Sequence, residues 1–204
     1  SFGFFALVLL GQNRLGQLWA AMASPRALVV LGVAALMIST NWFVFILSIQ
    51  IGHATEASLG YYLFPLVAVA LGRVVFKERL DMGQKTAVAL AMLAVVVLSL
   101  GLGVAPWVAL ILSSSFGLYG LIKKRLNTGP VVSVTAEVLL LCPIAMGVLY
   151  WRHSSGAGVF GAHLFDSALL AFSGILTATP LILFSYATKR VRLGTIGLVQ
   201  YLNP

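Results

Sequence analysis

The chain has 204 residues, 60% of them hydrophobic and only 9% charged. A soluble domain carries about 25% charged residues because its surface must be wetted, so composition excludes a water-soluble enzyme, a nucleic-acid module and a secreted disulfide scaffold. Thirteen Lys and Arg against five Asp and Glu give a formal charge of +8. The basic residues lie in short segments between apolar runs, where such charge marks membrane topology. Cys142 is the only cysteine, so no intrachain disulfide can form.

A helix that crosses a bilayer needs about 20 apolar residues. In chain order, the apolar runs predict a partial span over 1–11 and full spans over 28–49, 57–76, 84–102, 105–122, 131–151 and 166–188. A last partial span begins near 194. No run alternates with the period of two that a membrane β-barrel needs. The sequence opens directly in apolar residues and stops at Leu202-Asn203-Pro204 inside another apolar stretch, so a piece of a longer protein is expected.

The loops carry a strict alternation. The first (12–27) holds Arg14 and Arg26, the third Lys77, Arg79 and Lys85, the fifth Lys123, Lys124 and Arg125, and the seventh Lys189, Arg190 and Arg192. The second and fourth hold none, and the sixth only Arg152. Arg73 lies one turn from the third loop and can snorkel towards it. By the positive-inside rule the odd-numbered loops are expected in the cytoplasm and the protein in the cell membrane, crossing it many times.

Residues 59–65 read Leu-Gly-Tyr-Tyr-Leu-Phe-Pro and residues 198–204 read Leu-Val-Gln-Tyr-Leu-Asn-Pro, so both fit L-x-x-Y-L-x-P at an offset of 139. The same offset pairs Thr40 with Thr179, Phe45 with Phe184, and the span 28–49 with 167–188. Five spans separate each span from its copy, and an odd number means that the copy enters the membrane from the opposite side. Inverted repeats of this kind recur in secondary transporters. The expected fold class is therefore all-α: a polytopic membrane protein of two inverted five-helix repeats, cut from a ten-helix parent. The first repeat occupies 1–103 and the second 104–204.

Several segments resemble a known family. Asn41-Trp42-Phe43, Glu56-Ala57-Ser58-Leu59-Gly60-Tyr61-Tyr62, Pro65-Leu66-Val67 and Lys77-Glu78-Arg79-Leu80 resemble the RarD branch of the EamA-type drug/metabolite transporters. So do Gly120-Leu121 with Lys123-Lys124-Arg125, and Arg192-Leu193-Gly194-Thr195 with Gln200-Tyr201 and Pro204. The resemblance covers the whole chain. It implies ten helices in two repeats, cytoplasmic termini, and ATP-independent transport of small organic solutes, with export as the expected direction. It fixes no substrate.

Glu137 lies six residues into its span, about 9 Å below the boundary at 1.5 Å per residue. An acid at that depth faces a polar cavity or a partner and is a functional candidate; a desolvated carboxyl can also hold and release a proton. Asn41 and Trp42 sit in mid-span. Asn41 either binds solute or staples two helices, and Trp42, too deep for the interfacial belt, either packs the core or meets solute. Ser58, Tyr61, Tyr62 and Pro65 share one helical face, matched by Gly197, Gln200, Tyr201 and Pro204. Tyr62 and Tyr201 also read as interfacial anchors, while Tyr61, Gln200 and Asn203 read as polar lining. Pro65, Pro180 and Pro204 each remove a backbone donor and are expected to kink their helices. Thr55-Glu56 suits a helix start, and Glu78 and Asp81 suit a solvated network with their basic neighbours. Ser113–Ser115 can bond back to their own helix. His53, His153 and His163 show no metal-ligand spacing.

The substrate-site candidates are thus Asn41, Trp42, Tyr61, Glu137, Gln200 and Asn203, with no metal and no cofactor expected. The expected partners are a small organic solute, protons and the lipid bilayer, with a second copy of the chain as a candidate and nucleic acid excluded. An intramembrane enzyme is the rival class, but H-E-x-x-H, Gly-x-Ser-x-Gly, paired membrane aspartates and a P-loop are all missing, so the expectation is a non-enzyme. A passive assembly subunit is the other rival, and it has no need of inverted repeats.

Overall fold

The computed structural model describes residues 2–102, 107–155 and 164–202. Helix is the only regular secondary structure among them: α1 (Phe2–Gly11), α2 (Leu15–Ala23), α3 (Pro25–Gln50), α4 (Ala54–Phe76), α5 (Met82–Leu102), α6 (Trp107–Arg125), α7 (Pro130–Ser154), α8 (Leu164–Arg190) and α9 (Leu193–Gln200). Hydrocarbon offers the backbone no hydrogen-bond partner, so an apolar run of this length must close its bonds internally. Proline stands at the first position of α3 and α7, where its missing N–H leaves no gap. Gly52, at φ 84°, turns the chain between α3 and α4. Helices α4, α7 and α8 continue through Pro65, Pro143 and Pro180.

Five helices, α3, α4, α5, α7 and α8, are long and apolar enough to cross a membrane. They contain the predicted spans 28–49, 57–76, 84–102, 131–151 and 166–188, and the chain is a polytopic helical membrane protein. The predicted span 105–122 corresponds to α6, which falls short of the same measure. Three serines (113–115) and Lys123-Lys124 dilute its apolar content, and residues 103–106 lie outside the described residues. A second difference is α2, a nine-residue helix inside the predicted first loop. Leu18 and Ala21 are buried on one side of α2 while Trp19 is exposed on the other.

The helices gather into two compact units: Ser1–Ala35 with Leu126–Tyr186, and Leu36–Arg125 with Ala187–Pro204. Each takes chain from both sides of residue 103, so the packed units and the proposed repeats divide the protein differently. In the first unit α1 and α2 pack on α7. Leu9, Leu18, Ala21, Leu31, Val131, Val132 and Ala136 form its main core, and a smaller one surrounds Phe5, Val134 and Ala178.

In the second unit α4 is the hub, packed against α6, α9 and α5. Small residues allow the backbones to meet, as is usual where no water drives helices together. A Cβ added at Gly60 would stand 2.9 Å from Leu112 Cβ and 3.3 Å from Ala109 Cα of α6. One added at Gly197 would stand 2.9 Å from the Pro65 carbonyl oxygen and 2.8 Å from Ala68 Cβ.

The ends of this unit sort by loop number. Glu78, Lys124 and residues 191–194, from the third, fifth and seventh loops or their edges, are hydrogen-bonded together. At the opposite end Ala57, near the start of α4, packs on Val108, near the start of α6. The L-x-x-Y-L-x-P helices also run in opposite directions: Gly194 lies against Val69, Gly197 against Ala68 and Pro65, and the Tyr201 hydroxyl donates to the Tyr62 carbonyl at 3.0 Å. Shifting α3 by 139 residues brings its start onto Leu164, where α8 begins, and its end to within one residue of Arg190. The same shift brings the start of α4 onto Leu193, where α9 begins.

Candidate functional site

Asn41 is buried on α3, and its amide nitrogen donates to the Leu112 carbonyl at 2.8 Å and to Ser115 Oγ at 3.1 Å, both on α6. Of the two roles open to this amide, solute binding and stapling, the structure displays the staple between helices. Ser115 Oγ in turn bonds back to Leu112, and Ser113 to Ala109. Trp42, the next residue, is 39% exposed, so it is not core packing within its unit. One turn beyond Asn41, Phe45 meets the Tyr61 ring edge-on, with centroids 5.5 Å apart. The seam of α3, α4 and α6 thus brings Asn41 and Tyr61 to one region, with a tilted Phe64–Phe116 pair joining α4 to α6.

Gln200 is half-buried at the end of α9, beside Tyr201. Tyr62 and Tyr201 line an apolar groove of about 460 Å³ with Ala87, Leu90, Ala91, Ala94 and Val95 of α5. Asn203 and Pro204 lie outside the described residues, as does His163. Glu137 belongs to the other unit and is 2% exposed. It ends a run, Pro130–Glu137, in which every residue is buried. Ser133 and Thr135 in that run bond back to the Pro130 and Val131 carbonyls.

Three charged residues take roles that sequence periodicity does not reveal. Lys123 belongs by position to the basic loops, yet it is fully buried on α6 with its ammonium 5.5 Å from the Tyr119 ring centroid. Glu56 stands at a helix start, but it makes no cap. Its Oε1 pairs with His53 Nδ1, and its buried Oε2 has no hydrogen-bond partner among the described residues. An i, i+3 spacing is the sequence signal for that pair.

Glu78 is the third. Lys77 adopts the left-handed conformation (φ 54°) that closes α4, and the Glu78 amide bonds to the Gly72 carbonyl. This turn sends the Glu78 carboxylate inward. Its Oε1 accepts from Lys124 Nζ and from the Leu193 amide, both at 2.9 Å, and its Oε2 accepts from the Gly194 amide at 3.1 Å. A carboxylate here complements the positive N-terminus of α9. A Cβ on Gly72 would reach 2.5 Å from Oε2, so only glycine leaves room. Partial burial pushes the Glu78 carboxyl upward, but Lys124 and the two amides outweigh it and hold the group below the ordinary carboxylate range. Lys124 also donates to the Val191 carbonyl, and the predicted solvated network is in fact a specific three-loop tie. Among the described residues no group of His, Cys, Asp and Glu is placed to hold a metal ion.

Helices throughout the described residues, five of them long and apolar enough to cross a bilayer, with polar residues set into their seams and small residues where they cross, define a polytopic helical membrane protein. The family model of the EamA-like transporters matches residues 1–100, and the chain belongs to that family. Its relatives place it in the RarD branch. It is 43% identical to the protein RarD of Streptomyces exfoliatus, over 100% of this chain and 65% of that protein. It is 40% identical to the uncharacterized transporter YojE of Bacillus subtilis (100% and 69%) and 35% identical to the protein RarD of Escherichia coli (98% and 69%). The chain thus spans about two thirds of the length of these relatives. No solved structure matches it.

Proposed function

We propose that the protein of which this chain is part is a secondary carrier that moves a small organic solute, in the export direction, by alternating access between two inverted five-helix repeats. The observation that carries the reading is the meeting of α4 and α9. Their shared motif lies at an offset of 139, the offset at which α3 and α8 also coincide, and the two helices pack in opposite directions, with Tyr201 of one motif on Tyr62 of the other and Gly197 and Gly194 beside them on Pro65, Ala68 and Val69. Opposite direction is what an inverted copy requires, and two halves related in this way can exchange conformations about a midplane site. The family and the transporter names of its relatives agree with this class.

In this reading the divisions are 1–103 and 104–204, and Asn41, Trp42, Tyr61, Glu137, Gln200 and Asn203 meet the solute. Kinks at Pro65, Pro180 and Pro204 supply flexibility, and the odd-numbered loops face the cytoplasm. Counterflow in proteoliposomes of the full-length protein tests the class: a carrier exchanges labelled for unlabelled solute, whereas a scaffold or an intramembrane enzyme does not. Proton coupling is assigned to Glu137. The Glu137→Gln protein should transport at a rate independent of pH, and a normal pH profile in that variant removes the assignment.

A further inference from the structure

The third-loop turn leaves a cationic cleft that the carrier reading does not use. Of the cations gathered at this end of the second unit, Lys124 is bonded to Glu78 and Val191, Arg125 lies over the Phe76 ring at 5.6 Å, and Arg192 donates to the Arg79 carbonyl at 3.3 Å. The side chains of Arg73, Lys77 and Arg79 have no hydrogen bond or ion pair among the described residues. These three, with Glu78, line a cavity of about 310 Å³. Both Glu78 oxygens are already engaged by Lys124 and the α9 amides, so the one acid in the lining does not neutralise them.

The backbone arranges this separation. The left-handed turn at Lys77 sends Glu78 inward while Lys77 and Arg79, on either side of it, stay exposed. A non-glycine residue in that conformation carries strain, and such residues concentrate at functional sites. Arg73, in the last turn of α4, and Lys77, the left-handed residue that closes it, line the same cavity with Arg79, where like charges repel. The carbonyl end of the helix offsets only about half a charge. Arg73 and Arg79 each offer a planar fork suited to two oxygens of one phosphate, and Lys77 offers a point charge. The site also lies at the right depth. Helix α4 is a membrane span that ends at Phe76, so its last turn meets the bilayer where lipid headgroups lie.

We propose that Arg73, Lys77 and Arg79 form a binding site for a phosphodiester anion, supplied by the headgroup of an anionic phospholipid. The site does not depend on the solute, on proton coupling or on the carrier mechanism. A bound headgroup would relieve the repulsion within the cleft and fasten the turn that holds Glu78 on α9.

The full-length protein, released from nanodiscs of equal phosphatidylglycerol and phosphatidylcholine into native mass spectrometry, should retain phosphatidylglycerol in preference. Each of Arg73→Gln, Lys77→Gln and Arg79→Gln should lower that preference roughly fivefold, the effect of one basic residue near a membrane surface. The triple variant should show no preference, and Lys85→Gln, outside the cleft, should keep it. Equal retention of both lipids by the unaltered protein, or undiminished preference in the triple variant, overturns the proposal. Thermal melting of the unaltered protein in detergent gives a test free of folding defects in the variants. Added phosphatidylglycerol should raise the midpoint, while phosphatidylcholine and inorganic phosphate should not. A rise with inorganic phosphate as large as that with the lipid overturns the lipid source and makes the site one for free phosphate.

Discussion

Glu78 shows how much one side chain can hold together in a membrane protein. It joins the end of α4, the end of α6 and the start of α9 through one carboxylate. Because its folded-state proton affinity is depressed, its contribution is complete above the ordinary carboxylate range and fades as pH falls through the lower folded value. The Glu78→Gln protein should lose about 1–3 kcal/mol of stability at neutral pH, the scale for a hydrogen-bonded charge deprived of its partner. Its melting point should then change less on acidification than that of the unaltered protein, which thermal melts at neutral and acid pH will read. Asn41 holds two helices by a neutral amide, so Asn41→Ala should cost less, about 1 kcal/mol for bonds between helices in a bilayer. Denaturation in mixed micelles measures that difference. Both partnerships join residues far apart in sequence, which explains why the sequence leaves two roles open for Asn41 and why Glu78 looks merely solvated in it.

At the scale of helices, long spans are legible in the sequence and fine packing is not. The runs beginning near 28, 57, 84, 131 and 166 announce themselves because about 20 apolar residues in succession satisfy only one environment. Helix α6 reads as another such run, yet its serines and lysines serve internal contacts: Ser115 receives Asn41, and Lys123 lies buried against Tyr119. Helix α2 is hidden because nine residues fall below any span length, although its buried Leu18 and Ala21 are three apart. Glycines divide in the same way. At Gly197 an added methyl would meet the Pro65 carbonyl oxygen at 2.9 Å, a backbone atom with little freedom to yield. Gly197→Ala should therefore destabilise the protein by about 1–3 kcal/mol, as overpacking does. Gly32 has open space where its Cβ would stand. Gly32→Ala should be neutral or stabilising by up to about 1 kcal/mol, through helix propensity. A thermal-shift comparison of the two variants decides whether contact or composition governs the glycines.

At the scale of the whole molecule, the alternation of basic loops makes a prediction about sides. Single cysteines at Arg14, Lys77, Arg125 and Arg190, introduced into a full-length protein whose own cysteines are removed, should be labelled from the cytoplasmic face. Cysteines at His53 and His153 should be labelled from the opposite face with an impermeant reagent. Arg14, Lys77, Arg125 or Arg190 appearing on the outer side would break the topology and with it the inverted-repeat reading. The hydrogen-bonded meeting of the third, fifth and seventh loops within the second unit agrees with this arrangement. By itself the sequence determined that the chain lives in lipid and, to within a few residues, where five long apolar helices lie, and it offered a repeat as a reading. Hydropathy, loop charge and motif offset are linear signals, which hydrocarbon and membrane charge asymmetry read along the chain without reference to its fold. Only the tertiary structure decided which polar groups are partnered. Asn41 finds α6 and Glu78 finds Lys124 and α9, while Arg73, Lys77 and Arg79 are left facing a common cavity. In a medium without water a buried polar group must be satisfied by another part of the protein, and packing, rather than local pattern, brings that partner within reach.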